Sequence, residues 1–112
     1  GAHPHVVQPI DFIDDTVVIY SLGNFVSSQI GIERLTGLMA SLNINKEVYH
    51  GKTTIKITDV YGDLVYTNKS NRYVVYPYKN LNNNILYNYQ NYYIKYGNIV
   101  TSYNKNVKMK GI

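Results

Sequence analysis

The chain has 112 residues, of which 45% are hydrophobic, and this length and composition predict one small folded domain. No apolar run approaches the roughly 18 residues that a membrane span needs, and the absence of cysteine excludes a disulfide scaffold and a thiolate metal site. The net charge of +4, with Lys105, Lys108 and Lys110 gathered late, fits either a solvated basic tail or attraction to a polyanion.

Tyrosine is strongly over-represented, with 13 residues. Aromatic side chains among basic ones are typical of platforms that stack single-stranded nucleic acid. However, Tyr, Asn, Lys and Ile share AT-rich codons, so a low-GC genome raises all four together. We therefore predict no nucleic-acid partner from this composition.

The first third of the chain predicts an antiparallel hairpin. Residues 6–13 roughly alternate in hydropathy, Asp14 and Asp15 form a plausible turn, and the β-branched run 16–20 suits a strand buried on both faces. In the next segment, 21–25, Gly23 and Asn24 tolerate positive φ and turn the chain sharply. A tight turn is the favoured interpretation of this segment; the alternative is that it packs beside the loop at the start of the chain, to which the hairpin returns.

The middle of the chain predicts further strands joined by short turns. After a loop at 27–33, the alternating segment 38–45 is typical of a half-buried strand. The remaining predictions are a turn at 50–52, a strand over 53–60, a break at 61–63, a short extended piece at 64–66 and a strand over 72–78 that ends at Pro77.

From Asn80 onward the apolar period changes to three and four residues, which predicts an amphipathic helix. Asn80 is the predicted N-cap, and Gly97 leaves one long helix and two short ones both open. The tyrosines of the apolar stripe are interpreted as core residues whose hydroxyls reach the surface. The predicted fold class is α+β, an antiparallel β-sheet with a C-terminal helix.

The opening segment, Gly1-Ala2-His3-Pro4-His5, is the one group of residues whose side chains suggest a metal-binding role. Pro4 fixes its own φ and biases His3 toward extended geometry, and neutral imidazoles on such a loop suit divalent metals. Two histidines do not complete a metal site, since hydrolytic two-metal sites need bridging carboxylates. From the spacing alone, two exposed terminal histidines, or the remnant of a tag, is the favoured interpretation.

Other polar residues carry weaker signals. None of the acidic residues stands where a bridging ligand is expected: Asp11, Asp14, Asp15, Glu33, Glu47, Asp59 and Asp63. Ser27 and Ser28 have no recognisable base partner, so neither is predicted to be a nucleophile. His50, beside Gly51 in a turn, is predicted to be exposed to solvent.

The run GAHPHVVQPIDF, the hairpin after it, and IYSLGNFVSSQ resemble the end of the catalytic domain in the bacterial capsule-synthesis family whose members make poly-γ-glutamate. The segment ERLTGLMASLNI is similar to the region that comes after this domain end in capsule members. The family resembles a branch of the calcineurin-like metallophosphoesterases, whose last metal motif is Gly-His-x-His. Here Ala2 lies between the glycine and the first histidine, a form typical of the capsule branch.

The resemblance implies a C-terminal fragment of a longer parent. Within a single domain of residues 1–112, residues 1–45 would close a metallophosphoesterase-like α/β sandwich, and residues 46–112 would form an extension of strands and a helix. If the histidines of the family motif are matched to this sequence, His3 and His5 would each bind one ion of a dinuclear Mn, Zn or Fe centre. The other ligands, including the bridging aspartate, would lie upstream of Gly1, so the isolated chain is expected to bind metal weakly and hydrolyse nothing.

The resemblance supports two functional hypotheses. The parent is either a metal-dependent, phosphoesterase-like enzyme of poly-γ-glutamate capsule biosynthesis, with its catalytic residues unassigned, or a non-catalytic assembly or export component that binds a polyanion. The implied partners are the upstream half of the parent, the membrane subunits of the capsule synthase and the polyanionic polymer. The expected location is the cell surface, through an anchoring region outside this chain. A sheet edge without its neighbour also predicts self-association of the fragment.

Overall fold

The computed structural model describes every residue from Gly1 to Ile112 and has the α+β class that the sequence predicts. The strands are β1 (Ile10–Ile13), β2 (Thr16–Ile19), β3 (Thr36–Tyr49), β4 (Lys52–Asn68), β5 (Val74–Pro77) and β6 (Lys108–Met109). The helices are α1 (Ile32–Leu35), a 3₁₀ turn at Tyr78–Asn80, and α2 (Tyr89–Val100). Neither α-helix has the length and the continuous apolar surface that a bilayer crossing requires.

The first hairpin forms as predicted, with Ile10 opposite Ile19 and Ile13 opposite Thr16. Asp14 and Asp15 both take positive φ, 48° and 64°, which matches the twist that a two-residue hairpin turn needs. The prediction that the second strand is buried on both faces is wrong. β2 belongs to a separate two-stranded ribbon and is only half-buried, because β-branched residues favour a strand whether or not both faces are covered.

A long antiparallel hairpin of β3 and β4 forms the main sheet. The predicted break at residues 61–63 is wrong, because β4 runs straight through it and Asp63 lies opposite Met39. Gly62 serves close packing here instead of a turn. A Cβ at Gly62 would lie 3.0–3.3 Å from the side chains of Met109, Leu38 and Val100.

The irregularity in this hairpin lies just before the predicted break. Asp59 has a φ of 55°, and the pairing register shifts between Ser41 and Asn43, as at a β-bulge. The Asp59 carboxylate accepts a hydrogen bond of 2.7 Å from the Asn43 side-chain amide. This bulge separates the covered base of the hairpin from its outer part.

The outer part of the hairpin, residues 43–58, is here called the arm, and it accounts for a molecule 58 Å long and only 24 by 22 Å across. Its turn at His50 and Gly51 confirms the predicted one, with both residues at positive φ, and His50 is exposed as expected. Cross-strand pairs share a face, so one face of the arm is mainly apolar and the other is polar. The apolar face carries Ile44, Val48, Ile55 and Ile57.

The other edge of β4 is occupied by β5 in antiparallel pairing and by β6 in parallel pairing. β5 ends at Pro77, as predicted. Lys105, Lys108 and Lys110 are exposed, with Lys108 lying in β6. The late lysines therefore project from a tail that is tied to the sheet.

The C-terminal helix is present but shorter than the sequence predicts. α2 begins after Asn88, which has a left-handed φ of 67°, and not after Asn80, which ends the 3₁₀ turn. The intervening residues instead form turns in which the Asn82 side chain accepts hydrogen bonds from the backbone of Asn84 and Ile85. Gly97 neither ends nor interrupts α2, which continues to Val100.

A single core joins α2, the base of the long hairpin and the first ribbon. Tyr78 and Thr36 are both fully buried, and the Thr36 hydroxyl lies 2.8 Å from the Tyr78 hydroxyl. Tyr96 is also buried, which confirms the core interpretation for that tyrosine, while Tyr92 and Tyr93 pack at the core boundary. Buried hydroxyls of this kind stabilise the core only while both partners are present.

Removing one partner of the Thr36–Tyr78 hydrogen bond should therefore destabilise the fold. We expect Thr36→Val or Tyr78→Phe to lower the free energy of unfolding by about 1–3 kcal/mol, since each leaves a buried hydroxyl without a partner. The double variant should lose less than the sum of the two. Urea unfolding measures this cycle, with the exposed Tyr87→Phe as control; additive losses would contradict a direct bond.

Burial raises the pKa of Tyr78 above its ordinary value of 10.0, and the pKa values of Tyr66, Tyr93 and Tyr96 shift the same way for the same main reason. Because these pKa values are higher in the folded state, stability is fully present below about pH 10 and declines above it.

Tyr78 alone should contribute a decline of about 1.4 kcal/mol per pH unit once unfolded tyrosine ionises. Urea unfolding between about pH 8 and pH 11 should show this slope reduced in Tyr78→Phe and unchanged in Tyr87→Phe. Stability that rises across this range would be inconsistent with a buried neutral tyrosine.

Candidate functional site

The predicted metal ligands lie on a short bent loop at the start of the chain. The backbone N–H of His5 donates to the Ala2 carbonyl at 3.0 Å, and His5 itself has a φ of 63°. The amino group of Gly1 donates to the Ile19 carbonyl at 2.8 Å, and the backbone N–H of Leu22 donates to the Gly1 carbonyl at 2.7 Å. The loop is thereby tied to the end of β2.

The bend brings the two imidazoles side by side. The ring centroids of His3 and His5 lie 6.3 Å apart, with their planes tilted by 39°, and both residues are exposed. His3 makes no side-chain hydrogen bond within the chain, whereas Nδ1 of His5 lies 2.9 Å from Oδ1 of Asn24. The structure therefore places both predicted residues on one accessible surface and adds a third polar residue to them.

Asn24 is the residue that sequence analysis missed as part of the site. The sequence favours a tight turn over packing beside the histidine loop for the segment 21–25, and Gly23 does turn the chain with a φ of 67°. Its side-chain amide nitrogen has three oxygen neighbours: Gln29 Oε1 at 2.9 Å, the Arg34 carbonyl at 3.0 Å and Ser27 Oγ at 3.2 Å. The only signal in the sequence is its place in the SLGNF run that carries the resemblance.

Close backbone packing holds Asn24 at this position. Gly23 pairs with Gly37 of β3, and a Cβ at Gly37 would clash with the Asn24 carbonyl oxygen. The backbone N–H of Leu38 also donates to the Leu22 carbonyl at 2.8 Å. The segment that carries Asn24 is consequently attached to the main sheet through β3.

The two imidazoles do not form a complete metal site. No three His, Asp or Glu side chains lie close enough together to hold an ion. Neutral imidazoles fit a divalent metal as two of its ligands, but a dinuclear centre also needs a bridging carboxylate. Ser27 is buried, where its hydroxyl accepts hydrogen bonds from Asn24 and from the Gln29 backbone, so its role here is structural.

An apolar groove of about 450 Å³ lies beside the histidine loop. It runs between the loop, the segment after β2 and the outer edge of β3, which pairs with no strand beyond Leu38. Its lining residues are Ala2, Ile19, Leu22, Gly23, Phe25, Leu38, Met39 and Ala40. Phe25 and Met39 are both more than half exposed, so the groove presents apolar surface next to an open strand edge.

The part of the chain that carries the two histidines is similar to known proteins. Residues 1–29 match the family model described as "Bacterial capsule synthesis protein PGA_cap". The chain is also similar to the PGA biosynthesis protein CapA of Bacillus subtilis (strain 168), with 59% identity over 29 residues. No solved structure matches the chain.

The predicted resemblance to the capsule-synthesis family is thereby confirmed for the first 29 residues, which are similar to a CapA protein. The matched residues include His3, His5 and Asn24. The similar segment spans 26% of this chain and 8% of the Bacillus protein.

Proposed function

We propose that this chain is part of a protein of poly-γ-glutamate capsule biosynthesis, in which His3 and His5 contribute to a divalent-metal site. The observation that carries the proposal is the exposed imidazole pair, with His5 held by Asn24, inside the 29 residues that match the capsule-synthesis family. A CapA protein is named for the biosynthesis of PGA, and the matched segment contains the residues with metal chemistry.

The metal in this proposal is Mn, Zn or Fe, for which neutral imidazole is a suitable ligand. When bound, such an ion polarises a phosphoryl or acyl oxygen and lowers the pKa of a bound water. The contribution of this chain is two nitrogen ligands on one bent loop. Carboxylate ligands would come from the upstream half of the parent protein.

The proposed fold of the parent is a metallophosphoesterase-like sandwich that residues 1–45 complete, with residues 46–112 as an extension. The apolar groove and the open edge of β3 support this arrangement, because both lie beside the histidine loop and both would be covered by further strands. In this proposal the upstream half packs on the groove and brings its ligands to His3 and His5.

Metal titration tests the proposal. We expect a longer chain with the upstream region to bind Mn²⁺ or Zn²⁺, and His3→Ala or His5→Ala to weaken binding at least about 10-fold. The 112-residue chain should bind weakly, and His50→Ala is the matched control because His50 is exposed on the arm. Calorimetry measures the affinities, and hydrolysis of a generic phosphodiester separates an enzyme from a scaffold.

Equal affinity of the longer chain and its histidine variants would remove both residues from the metal site. Tight binding of two ions by the 112-residue chain would contradict the proposed need for upstream ligands.

A second candidate function is assembly or export of the polymer, without catalysis. The arm favours this hypothesis, since its apolar face carries largely exposed side chains, including Ile44, Val48 and Ile55, each more than 60% exposed. Membrane subunits of the synthase, or a second copy of the chain, would cover such a face, and exposed lysines would attract a polyanionic polymer. The protein would then act at the cell surface, anchored outside this chain.

Self-association through the arm is directly measurable. We expect the 112-residue chain to form a dimer whose population rises with concentration, and Ile44→Thr with Ile55→Thr to weaken dimerisation at least about 10-fold through lost apolar burial. The control variant, Asn45→Ala with Thr54→Ala, alters the polar face of the arm. Light scattering that finds only monomer at high concentration would exclude this surface for self-association.

A further inference from the structure

We infer that Asn24 is a positioning residue, which holds the His5 imidazole in the tautomer protonated at Nδ1 and leaves Nε2 free to bind an ion. This inference rests on the proposed metal function for its purpose. The hydrogen-bond geometry that supports it is independent of any metal.

The surroundings of the Asn24 amide fix its orientation. Of the three oxygens around its nitrogen, those of Ser27 and Gln29 adapt, because a hydroxyl rotates and a glutamine amide turns over. The Arg34 carbonyl does not adapt, since a backbone carbonyl only accepts hydrogen bonds. The Asn24 atom 3.0 Å from that carbonyl must therefore be the donating NH₂ group.

The orientation of the amide determines the protonation of His5. With its NH₂ group directed at Arg34, Asn24 presents its carbonyl oxygen Oδ1 to His5, at 2.9 Å from Nδ1. Because this oxygen only accepts, Nδ1 of His5 must carry the proton. In the neutral ring the other nitrogen, Nε2, then has its lone pair available to bind an ion. A histidine that binds a metal usually donates a hydrogen bond from the N–H of its other ring nitrogen, as His5 does here.

The anchor of the amide belongs to the rigid part of the molecule. The Arg34 carbonyl lies at the end of α1, one residue before the buried Leu35 and two before the buried Thr36. The backbone of Asn24 is held close to Gly37 of β3. The direction of the His5 ring is thus set by the main sheet, although His5 itself is exposed on a loop.

A carboxylate in place of the amide would not perform the same task equally well. Asp at position 24 keeps an oxygen that accepts from Nδ1, but its second oxygen would face the Arg34 carbonyl with no proton between them. The amide is the side chain of this size that both donates to the carbonyl and accepts from the imidazole. This requirement gives Asn24 a role beyond that of a turn residue.

The test reads the tautomer of His5 directly in the 112-residue chain. Long-range ¹H–¹⁵N correlation spectra at a pH where imidazole is neutral distinguish a protonated from an unprotonated ring nitrogen. We expect His5 to be protonated at Nδ1, while His3 and His50, which have no such partner, show the tautomer mixture of free imidazole. Predominant protonation of His5 at Nε2 would overturn the inference without any variant.

Variants then assign the effect to Asn24. Asn24→Ala should change the tautomer ratio of His5 by about 2- to 10-fold toward that of His3, the range expected for one hydrogen bond. Asn24→Asp should retain the Nδ1–H form, and Asn45→Ala on the arm should have no effect. An unchanged tautomer ratio in Asn24→Ala, with a native backbone spectrum, would contradict the role of Asn24. If Asn24→Ala unfolds, the tautomer of His5 in the wild-type chain and in Asn24→Asp still tests the inference.

A Zn²⁺ titration of the longer chain in the same spectra separates this inference from the proposed function. Binding at Nε2 of His5 with Nδ1 still protonated supports both, and Asn24→Ala should weaken it about 10- to 100-fold. Coordination through Nδ1 would overturn the inference and leave the metal function intact. No perturbation of His5 by Zn²⁺ would overturn the metal function, while the tautomer result would stand.

Discussion

The start of β3 is the constraint on which the candidate site depends. Gly37 pairs with Val65 of β4 on one side and with Gly23 of the preceding segment on the other, and the backbone N–H of Leu38 donates to the Leu22 carbonyl, so the start of β3 joins the site to the sheet. A side chain at this position would clash with the backbone of Asn24. One residue earlier, the Thr36 hydroxyl is hydrogen-bonded to Tyr78 in the core. The geometry of an exposed loop therefore rests on buried contacts, and disturbance of those contacts would reach His5.

The long hairpin has two parts with different physical character. Its base is covered by α2, β5 and β6 and contributes Leu38, Val60 and Leu64 to the core. Beyond the bulge at Asp59, the arm is held mainly by its own cross-strand hydrogen bonds and side-chain pairs, and Ile57 at its inner end packs against the core. A two-stranded hairpin alone is marginally stable in water, so attachment to the covered base supports the arm. The apolar face of the arm and the groove beside the histidine loop are separate surfaces, which allows one partner for each.

Local features of the chain are well predicted because short-range chemistry decides them. The aspartate pair at residues 14–15, the turn at Gly51 and the end of β5 at Pro77 each depend on the backbone preferences of the residues themselves. The errors arise where a distant contact decides. In the sequence Gly62 has the pattern of a turn residue, but in the structure Met109 packs against it within a strand. Residues 81–88 have a helical period, but they form turns that asparagine side chains cap.

The sequence by itself determined the α+β class, the first hairpin and the capsule-synthesis resemblance that the comparisons confirm over residues 1–29. Through that resemblance it also predicted His3 and His5 as metal ligands. These depend on local pattern and motif. Only the tertiary structure decided that Asn24, 19 positions away, accepts a hydrogen bond from His5, and that Arg34 orients the amide which does so. Hydrogen bonds between residues far apart in the chain depend on how the sheet brings their segments together, and no spacing within the sequence encodes that distance.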